Sequence, residues 1–167
     1  MRIPVFLSYS SPYTEEQRAF IKEIEIHLQN RGLEPRTLGI TDYDLDEPLT
    51  AIRRLMFESN GLLAIAFKRY YVVNGIEKPK SIDEKNISNK YFSSPWCHIE
   101  PAMAFQLGLP ILIIREKGVI GTYLPEFDLS NPIEEYLKSE EWNQIIGEWE
   151  GYVRAVKKAK GKPLMLY

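Results

Sequence analysis

LLAIAF at residues 62–67 and PILII at residues 110–114 are the two runs that decide the fold of this chain. Neither run alternates between apolar and polar residues, as a strand with one solvated face would. Each is therefore predicted to be a strand that is buried on both faces. IPVFLSY at residues 3–9 predicts another buried strand, and helical patterns lie between the three runs. This arrangement favours an α/β fold, with a parallel sheet covered by helices on both faces.

The segments between the strands have recognisable helix boundaries. Thr14 and Gln17 have the spacing of a capping box, which predicts that a first helix begins there, and Gly32 is placed to end it. Pro35 interrupts a weak second strand at residues 33–38, so this strand is expected near a sheet edge. Pro48 predicts the first turn of a second helix. Residues 118–132 have no clear pattern.

The connection over residues 69–93 differs from the others. It is rich in polar residues between residues 78 and 89 and is much longer than the usual connection of about 2–6 residues in α/β units. We therefore predict an insertion or a lid within a single domain that spans residues 1–167.

Composition argues against several classes of function. The chain has 167 residues and a formal net charge of −2, so it offers no basic stripe for a nucleic acid. A single cysteine, Cys97, cannot form an internal disulfide. No apolar run approaches the roughly 20 residues of a spanning helix, and no signal pattern opens the chain, so we expect a cytoplasmic protein without membrane contact.

Metal binding is also not predicted. Neither His27 nor His98 has metal-ligand spacing with Cys97. The acidic loop at residues 39–47 superficially resembles a calcium loop, but it lacks the turn glycine and the following glutamate ligand.

SSPWCHIE at residues 93–100 carries the candidate chemistry. Trp96 and Glu100 are four residues apart and therefore lie on the same face of a helix. The indole ring can stack on a base, and the carboxylate can face an electron-poor carbon. The pair predicts a nucleotide-cleaving site. Pro101 follows Glu100 directly, so either the helix kinks at this point or a new helix begins at Pro101.

Two motifs resemble those of a known family. VFLSYS at residues 5–10 is similar to the first motif of Toll/interleukin-1 receptor (TIR) domains, and the Trp96-x-x-x-Glu100 spacing is that of the catalytic helix of the TIR domains that cleave NAD+. The order of elements over residues 3–115 also agrees. The resemblance implies a flavodoxin-like parallel sheet of about five strands, and an enzyme that cleaves the bond between nicotinamide and ribose.

The resemblance also implies a catalytic role for Glu100. Ligands of such sheets bind beyond the carboxyl ends of the strands, so substrate-binding residues are expected at that edge: Phe6, Ser8, Tyr9, Ser10, Asp42 and Trp96. Nicotinamide leaves as a neutral molecule, so one carboxylate suffices and no general acid is needed. NAD+ would be the substrate, with no separate cofactor.

Partners are expected as well. The acidic loop at residues 39–47 is a candidate for self-association, and a separate sensor or effector protein is expected, as in bacterial antiphage systems in which a TIR protein makes a nucleotide signal. The product would be a linear, cyclic or conjugated ADP-ribose.

Other interpretations remain open from the residues alone. The chain could be a non-catalytic TIR interaction module. It could instead be an enzyme like the nucleoside 2-deoxyribosyltransferases, which the run from Glu100 to Pro110 resembles. Glu100 could be a surface carboxylate and Trp96 a core residue. Cys97 is expected to be a buried apolar side chain rather than a nucleophile.

Overall fold

The structure is a computed structural model that describes residues 1–38, 48–121 and 125–161. Its helices and strands follow the chain in this order: β1 (Ile3–Tyr9), α1 (Glu15–Asn30), β2 (Leu33–Arg36), α2 (Pro48–Glu58), β3 (Leu62–Ala66), β4 (Tyr70–Val72), β5 (Ile76–Glu77), β6 (Lys85–Asn86), β7 (Lys90–Phe92), α3 (Trp96–Gln106), β8 (Ile111–Glu116), β9 (Glu126–Phe127), α4 (Ile133–Lys138) and α5 (Glu140–Lys160).

The main sheet contains five strands of the described chain in the order β2-β1-β3-β8-β9. Every neighbouring pair in it is parallel. The predicted flavodoxin-like α/β sheet is therefore confirmed. Strand β2 lies at one edge, as Pro35 predicted. The opposite edge is the two-residue strand β9, which comes from the segment that the sequence pattern did not resolve.

Helices cover both faces of the sheet. Side chains of α1, α4 and α5 pack on one face, and side chains of α2 and α3 pack on the other. Successive residues of a strand point to opposite faces, so Val5 and Leu7 of β1 belong to the first layer and Phe6 to the second. The same alternation places Ser8 on the face that α3 covers.

The first helix begins and ends where the sequence predicted. Thr14 Oγ1 accepts a hydrogen bond from the Gln17 backbone N–H at 3.1 Å, and Gly32 follows the helix with φ of +79°. The capping box is not reciprocal, however. Gln17 Oε1 accepts from the Tyr13 N–H, and Gln17 Nε2 donates to Glu116 Oε2 at 3.0 Å. Gln17 thus joins the start of α1 to the carboxyl end of β8.

The long connection at residues 69–93 folds into two small antiparallel ribbons. Strand β4 pairs with β7, and β5 pairs with β6. The chain thus leaves the main sheet after β3 and returns to α3 through ordered hairpin structure. Movement of this connection as a lid stays a prediction, as does the single-domain organisation.

Across residues 1–38, 48–121 and 125–161, no helix combines the length and the apolar character needed to cross a bilayer.

Candidate active site

A cleft of about 380 Å³ lies beyond the carboxyl ends of β1, β2 and β3. Parallel sheets place ligand sites at this edge, because the loops that follow the strands converge there. The described residues that line it are Tyr9, Ser10, Ser11, Leu38, Pro48, Ile52, Arg69, Tyr70, Ser94, Trp96 and Glu100. Two of them, Trp96 and Glu100, form the pair that the sequence singled out.

Glu100 is held by a residue of the sheet beneath it. The Ser8 hydroxyl donates a hydrogen bond to Glu100 Oε2. Ser8 pairs in register with Ala64 of β3, and a methyl group there takes little space on the face covered by α3. Strand alternation directs Ser8 toward that face, and the first turns of α3 bring Glu100 over it. The contact therefore results from packing between distant segments.

The environment of Glu100 disfavours its charge. Burial raises the pKa of this carboxyl to about 7, and the hydrogen bond from Ser8 acts in the opposite direction. A buried carboxylate loses hydration that one hydroxyl donor replaces only in part. At neutral pH, Glu100 is therefore present in both its protonated and its ionised form. Carboxyl groups with such shifted pKa values are concentrated in functional sites.

Trp96 occupies the rim of the cleft one turn before Glu100. Its side chain is 38 % exposed, so the ring is available to a ligand and is not a core residue. The Trp96 backbone N–H donates to Ser94 Oγ at 3.3 Å, which helps to fix the start of α3. An exposed aromatic ring beside a carboxylate suits a planar base.

Helix α3 runs without a break through Pro101. The alternative in which a new helix begins at Pro101 is therefore wrong. Proline has no N–H for the carbonyl of Cys97, one turn earlier, but the surrounding packing holds the helix together. Trp96 and Glu100 consequently share one helix, and their four-residue spacing places both at the cleft.

The first motif, VFLSYS at residues 5–10, was predicted to contact the substrate, but Phe6 and Ser8 within it are buried beneath α3. Phe6 is 1 % exposed, belongs to the core beneath α2 and α3, and does not line the cleft. The expectation of a substrate contact at Phe6 is corrected accordingly. Ser8 is 3 % exposed and lies under Glu100. Both side chains point into the packed layer because alternate residues of β1 do so.

Tyr9 and Ser10 line the cleft, but neither offers a simple polar contact. Tyr9 packs against the α1 side of the core, burial raises its pKa, and its hydroxyl is hydrogen-bonded with Thr37. Ser10 Oγ is buried and has no hydrogen-bond partner within the described residues. The predicted contact at Asp42 lies outside the described residues, as does the whole of 39–47.

Cys97 is buried, as its sequence context predicted. Its thiol lies 3.2 Å from Ser93 Oγ and 3.8 Å from the Ile65 carbonyl oxygen. Burial raises the pKa of the thiol, which lowers the thiolate population that a nucleophile needs. This cysteine therefore behaves as a small packing residue.

Sequence analysis missed Arg69 and Tyr70 at the rim. Both come within four residues of the end of β3, where Tyr70 opens β4 and is 54 % exposed. Their position after a buried strand was the available signal, since the residues after parallel strands converge at one edge. The pattern of the long connection that begins at these residues does not itself indicate a contact with the cleft.

Two larger clefts lie elsewhere, and both are lined mainly by apolar side chains. One, of about 630 Å³, lies where the amino end of β8 meets α5, and the other, of about 650 Å³, lies between α2 and α3. Neither is lined by Trp96 or Glu100. We place the candidate site in the smaller cleft because convergent polar groups, rather than volume, define a reactive site. Across the described ranges, no three histidine, cysteine or acidic side chains are grouped closely enough to hold a metal ion.

Comparison with known proteins gives similarity in overall layout. Neither a family model nor a curated protein sequence matches this chain. The structure of a Clostridium botulinum CMP N-glycosidase, BcmB, is similar with a TM-score of 0.47 and 17 % identity, over 81 % of this chain and 95 % of that chain. The TIR domains of the activated Roq1 resistosome, which directly recognises the pathogen effector XopQ, have a TM-score of 0.45 and 11 % identity, over 93 % of this chain and 84 % of that chain.

A third similar structure is that of a flavodiiron protein. The metal-soaked Flv1 flavodiiron core from Synechocystis sp. PCC6803 has a TM-score of 0.46 and 12 % identity, over 94 % of this chain and 36 % of that chain. Structural neighbours thus include a nucleotide glycosidase, a TIR assembly and a flavodiiron protein. At these identities and TM-scores the similarities carry no inference about the chemistry of this chain.

Proposed function

We propose that this protein cleaves the N-glycosidic bond between nicotinamide and ribose in NAD+. The observation that carries the proposal is the position of Glu100, the only carboxylate among the described residues that line the cleft. It is partly buried, it is held by Ser8, and an exposed tryptophan lies one helical turn away. The TIR-like motifs of the sequence supply the expectation of NAD+ as the substrate.

The reaction requires one negative charge at the ribose. When the bond from C1′ to the nicotinamide nitrogen breaks, its electron pair goes to the cationic pyridinium ring, and nicotinamide leaves as a neutral molecule. Positive charge then develops on C1′ and the ring oxygen. An ionised Glu100 stabilises this oxocarbenium character. Water then adds at C1′ and loses a proton to solvent, which gives ADP-ribose. A hydroxyl of the adenosine half would give a cyclic product instead.

The raised pKa of Glu100 suits this role. A carboxylate that has lost hydration interacts strongly with a nearby positive charge, because little water screens the pair. The cationic nicotinamide ribose would therefore favour the ionised form of Glu100 when it enters the cleft. Trp96 supplies the flat surface on which one of the two bases of NAD+ can stack.

The deciding experiment follows nicotinamide release from NAD+, with mass analysis of the remaining ADP-ribose portion. The wild-type protein is compared with Glu100→Gln and with Glu135→Gln, an exposed carboxylate on α4 that serves as the control. We expect wild type and Glu135→Gln to release nicotinamide and Glu100→Gln to lose at least about a hundredfold in rate, the scale of one removed electrostatic stabiliser. Near wild-type turnover by Glu100→Gln would overturn the assignment.

A second candidate reaction is the cleavage of a nucleoside or nucleotide whose base is neutral. The pKa of Glu100, raised to about 7 by burial, favours it, because a large fraction of the carboxyl is then protonated at neutral pH. A neutral base leaves as an anion unless it receives a proton, and a protonated Glu100 can donate one. The two reactions require opposite forms of the same group.

The dependence of kcat/KM on pH separates the two reactions. Cleavage of NAD+ by an ionised Glu100 should become faster as pH rises from 5 to 8, through a pKa of about 7. Cleavage of a neutral nucleoside by a protonated Glu100 should become slower over the same range. Cleavage of neither substrate, in dilute solution or in concentrated solution, would contradict both reactions and favour the alternative of a non-catalytic interaction module.

A further inference from the structure

Arg69 is the only cationic side chain among the described residues that line the cleft. Its Nη1 donates a hydrogen bond to the Ser11 carbonyl oxygen at 2.8 Å. This contact joins the base of the β4–β7 ribbon to the loop after β1. The guanidinium group is thereby held at the rim of the cleft that contains Glu100.

We propose that Arg69 binds a phosphate group of the substrate, so that the cleft selects nucleotides over nucleosides. This inference rests on the proposed function in one respect, namely that the substrate carries a phosphorylated ribose. It gives a function to the first residue of the long connection at 69–93, which the sequence pattern predicted only as an insertion or a lid.

The charges of the cleft support this assignment. A nucleotide presents an electron-poor C1′ and an anionic phosphate at opposite ends of one ribose. Glu100 supplies the negative charge and Arg69 the positive charge, and both line the same cleft. Arginine stays protonated at any accessible pH and offers several N–H donors in a fork that matches phosphate oxygens. The Ser11 carbonyl occupies one of these donors, and the described residues contain no acid paired with the others.

The backbone around Arg69 is fixed at several points. The Arg69 N–H donates to the Phe92 carbonyl oxygen at 2.9 Å, which closes the base of the ribbon. The preceding Lys68 N–H donates to Glu116 Oε2 at 2.9 Å, and the Lys68 carbonyl accepts from Gln17 Nε2 at 3.3 Å. A residue anchored in this way can place a charge with little loss of conformational entropy on binding.

The ribbon also brings its second end to the site. Residues 93–95 link β7 to α3, and Ser94 lines the cleft beside Trp96. One end of the connection therefore places Arg69 at the cleft, and the other end leads into α3, the helix that contains Glu100. The insertion thus builds one side of the cleft, and an anion contact at its root lies close to the reactive groups.

The test measures binding without turnover. Titration calorimetry is carried out in the Glu100→Gln background with nicotinamide mononucleotide and with nicotinamide riboside, which differ by one phosphate. Arg69→Gln removes the charge, Arg69→Lys keeps the charge without the fork, and Lys85→Gln removes an exposed cation on the distal strand β6 as the control. Melting curves establish that each variant is folded.

We expect the mononucleotide to bind about tenfold more tightly than the riboside, which is the scale of a charge-assisted hydrogen bond. Arg69→Gln should bring this ratio close to one, mainly by weakening the mononucleotide. Arg69→Lys should keep part of the preference, and Lys85→Gln should keep all of it. The preference should also shrink as salt concentration rises.

Three results would overturn the inference: an unchanged ratio in Arg69→Gln, an equal loss of affinity for both ligands, or no binding of the mononucleotide to the protein. The outcome is separate from that of the proposed function. If Arg69→Gln abolishes the phosphate preference while NAD+ is not cleaved, the proposed function fails and the anion contact stands. If NAD+ is cleaved and the phosphate preference does not depend on Arg69, the proposed function stands and the anion contact at Arg69 fails.

Discussion

The Ser8 hydroxyl of β1 donates a hydrogen bond to Glu100 Oε2 of α3, which joins two residues that are 92 positions apart in the sequence. This contact anchors the carboxylate that we propose as the catalytic group. It also opposes the effect of burial on the pKa of Glu100. The pKa of Glu100 on α3 therefore depends on Ser8 of β1, and this dependence can be tested by replacing either residue.

Replacing Ser8 with alanine should raise the pKa of Glu100 further, because the removed hydroxyl stabilises the ionised form. The pH at which kcat/KM for NAD+ cleavage reaches half of its maximum should increase by about one unit, the scale of one hydrogen bond to a charged group. Activity well above that pH should be much less affected. Ser59→Ala, which removes a buried hydroxyl bonded to the Leu55 carbonyl, is the control and should leave the profile unchanged. An unshifted profile in Ser8→Ala would contradict the coupling.

Glu100→Gln should make the protein more stable at alkaline pH. A carboxyl whose pKa is raised from 4.5 to about 7 contributes stability that is present below pH 4.5 and is lost as pH rises through 7. Glutamine does not titrate and avoids this loss. The free energy of unfolding of Glu100→Gln, measured relative to that of wild type, should therefore increase between pH 4.5 and pH 8 by an amount on the order of 3 kcal/mol.

Chemical denaturation at the two pH values measures this gain. Glu135→Gln is again the control and should follow wild type. A difference between Glu100→Gln and wild type that does not change with pH would show that Glu100 is not shifted by burial.

Trp96→Ala should weaken nucleotide binding more than it weakens the fold. The ring is 38 % exposed, so its removal takes away stacking area without leaving a deep cavity. Melting curves and a nucleotide titration on the same variant test this. Trp142 is fully buried, and Trp142→Ala should lose about 3–5 kcal/mol of stability. A loss of comparable size in Trp96→Ala with unchanged affinity would place Trp96 in the core.

His27 should destabilise the protein in mild acid. Trp142 Nε1 donates to His27 Nε2 at 3.1 Å, and indole nitrogen is a donor only, so this imidazole nitrogen must be unprotonated. Burial, together with Arg31, lowers the pKa of His27 below its ordinary value of 6.5. Its contribution to stability is therefore complete above pH 6.5 and is lost as pH falls through the lowered value.

His27→Gln keeps a hydrogen-bond acceptor without a titrating group. Unfolding curves at pH 7.5 and pH 5 should show a smaller acid destabilisation in His27→Gln than in wild type. His27 lowers the stability of the protein as pH falls, whereas Glu100 lowers it as pH rises. The pH dependence of each variant's stability relative to wild type therefore distinguishes the two residues. Equal acid destabilisation in His27→Gln and wild type would exclude this role.

Specific activity should rise with protein concentration if residues 39–47 mediate self-association. The acidic side chains of this loop are too polar to be buried in a monomer without partners, and Tyr43 and Leu45 between them are candidate contacts. These residues lie outside the described ranges, so this prediction rests on the sequence. Tyr43→Ala and Asp44→Lys should flatten the rise with little change in Tm. Constant activity per molecule over a hundredfold dilution would rule it out.

The sequence by itself determined the class of fold and most of the strands and helices that build the main sheet and its two layers. Runs such as 62–67 and 110–114 contain no polar alternation, and their shortness and flanking turn residues favoured strands covered on both faces. Thr14 and Gly32 marked the ends of α1 because capping and positive φ are local requirements. The four-residue spacing of Trp96 and Glu100 placed both on one helical face, because helix geometry fixes it. The strands β4 to β7 and β9 were not predicted, because segments of two or three residues are too short to show a periodic pattern.

Only the tertiary structure decided which residues meet at the cleft. Phe6 and Ser8 belong to one motif, yet one packs the core and the other holds Glu100, according to how far along β1 the helix α3 crosses. Arg69 reaches the rim through a ribbon whose pairing depends on residues about 20 positions later in the chain. Contacts of this kind depend on strand register and helix packing between distant segments, and the local pattern of a sequence contains neither.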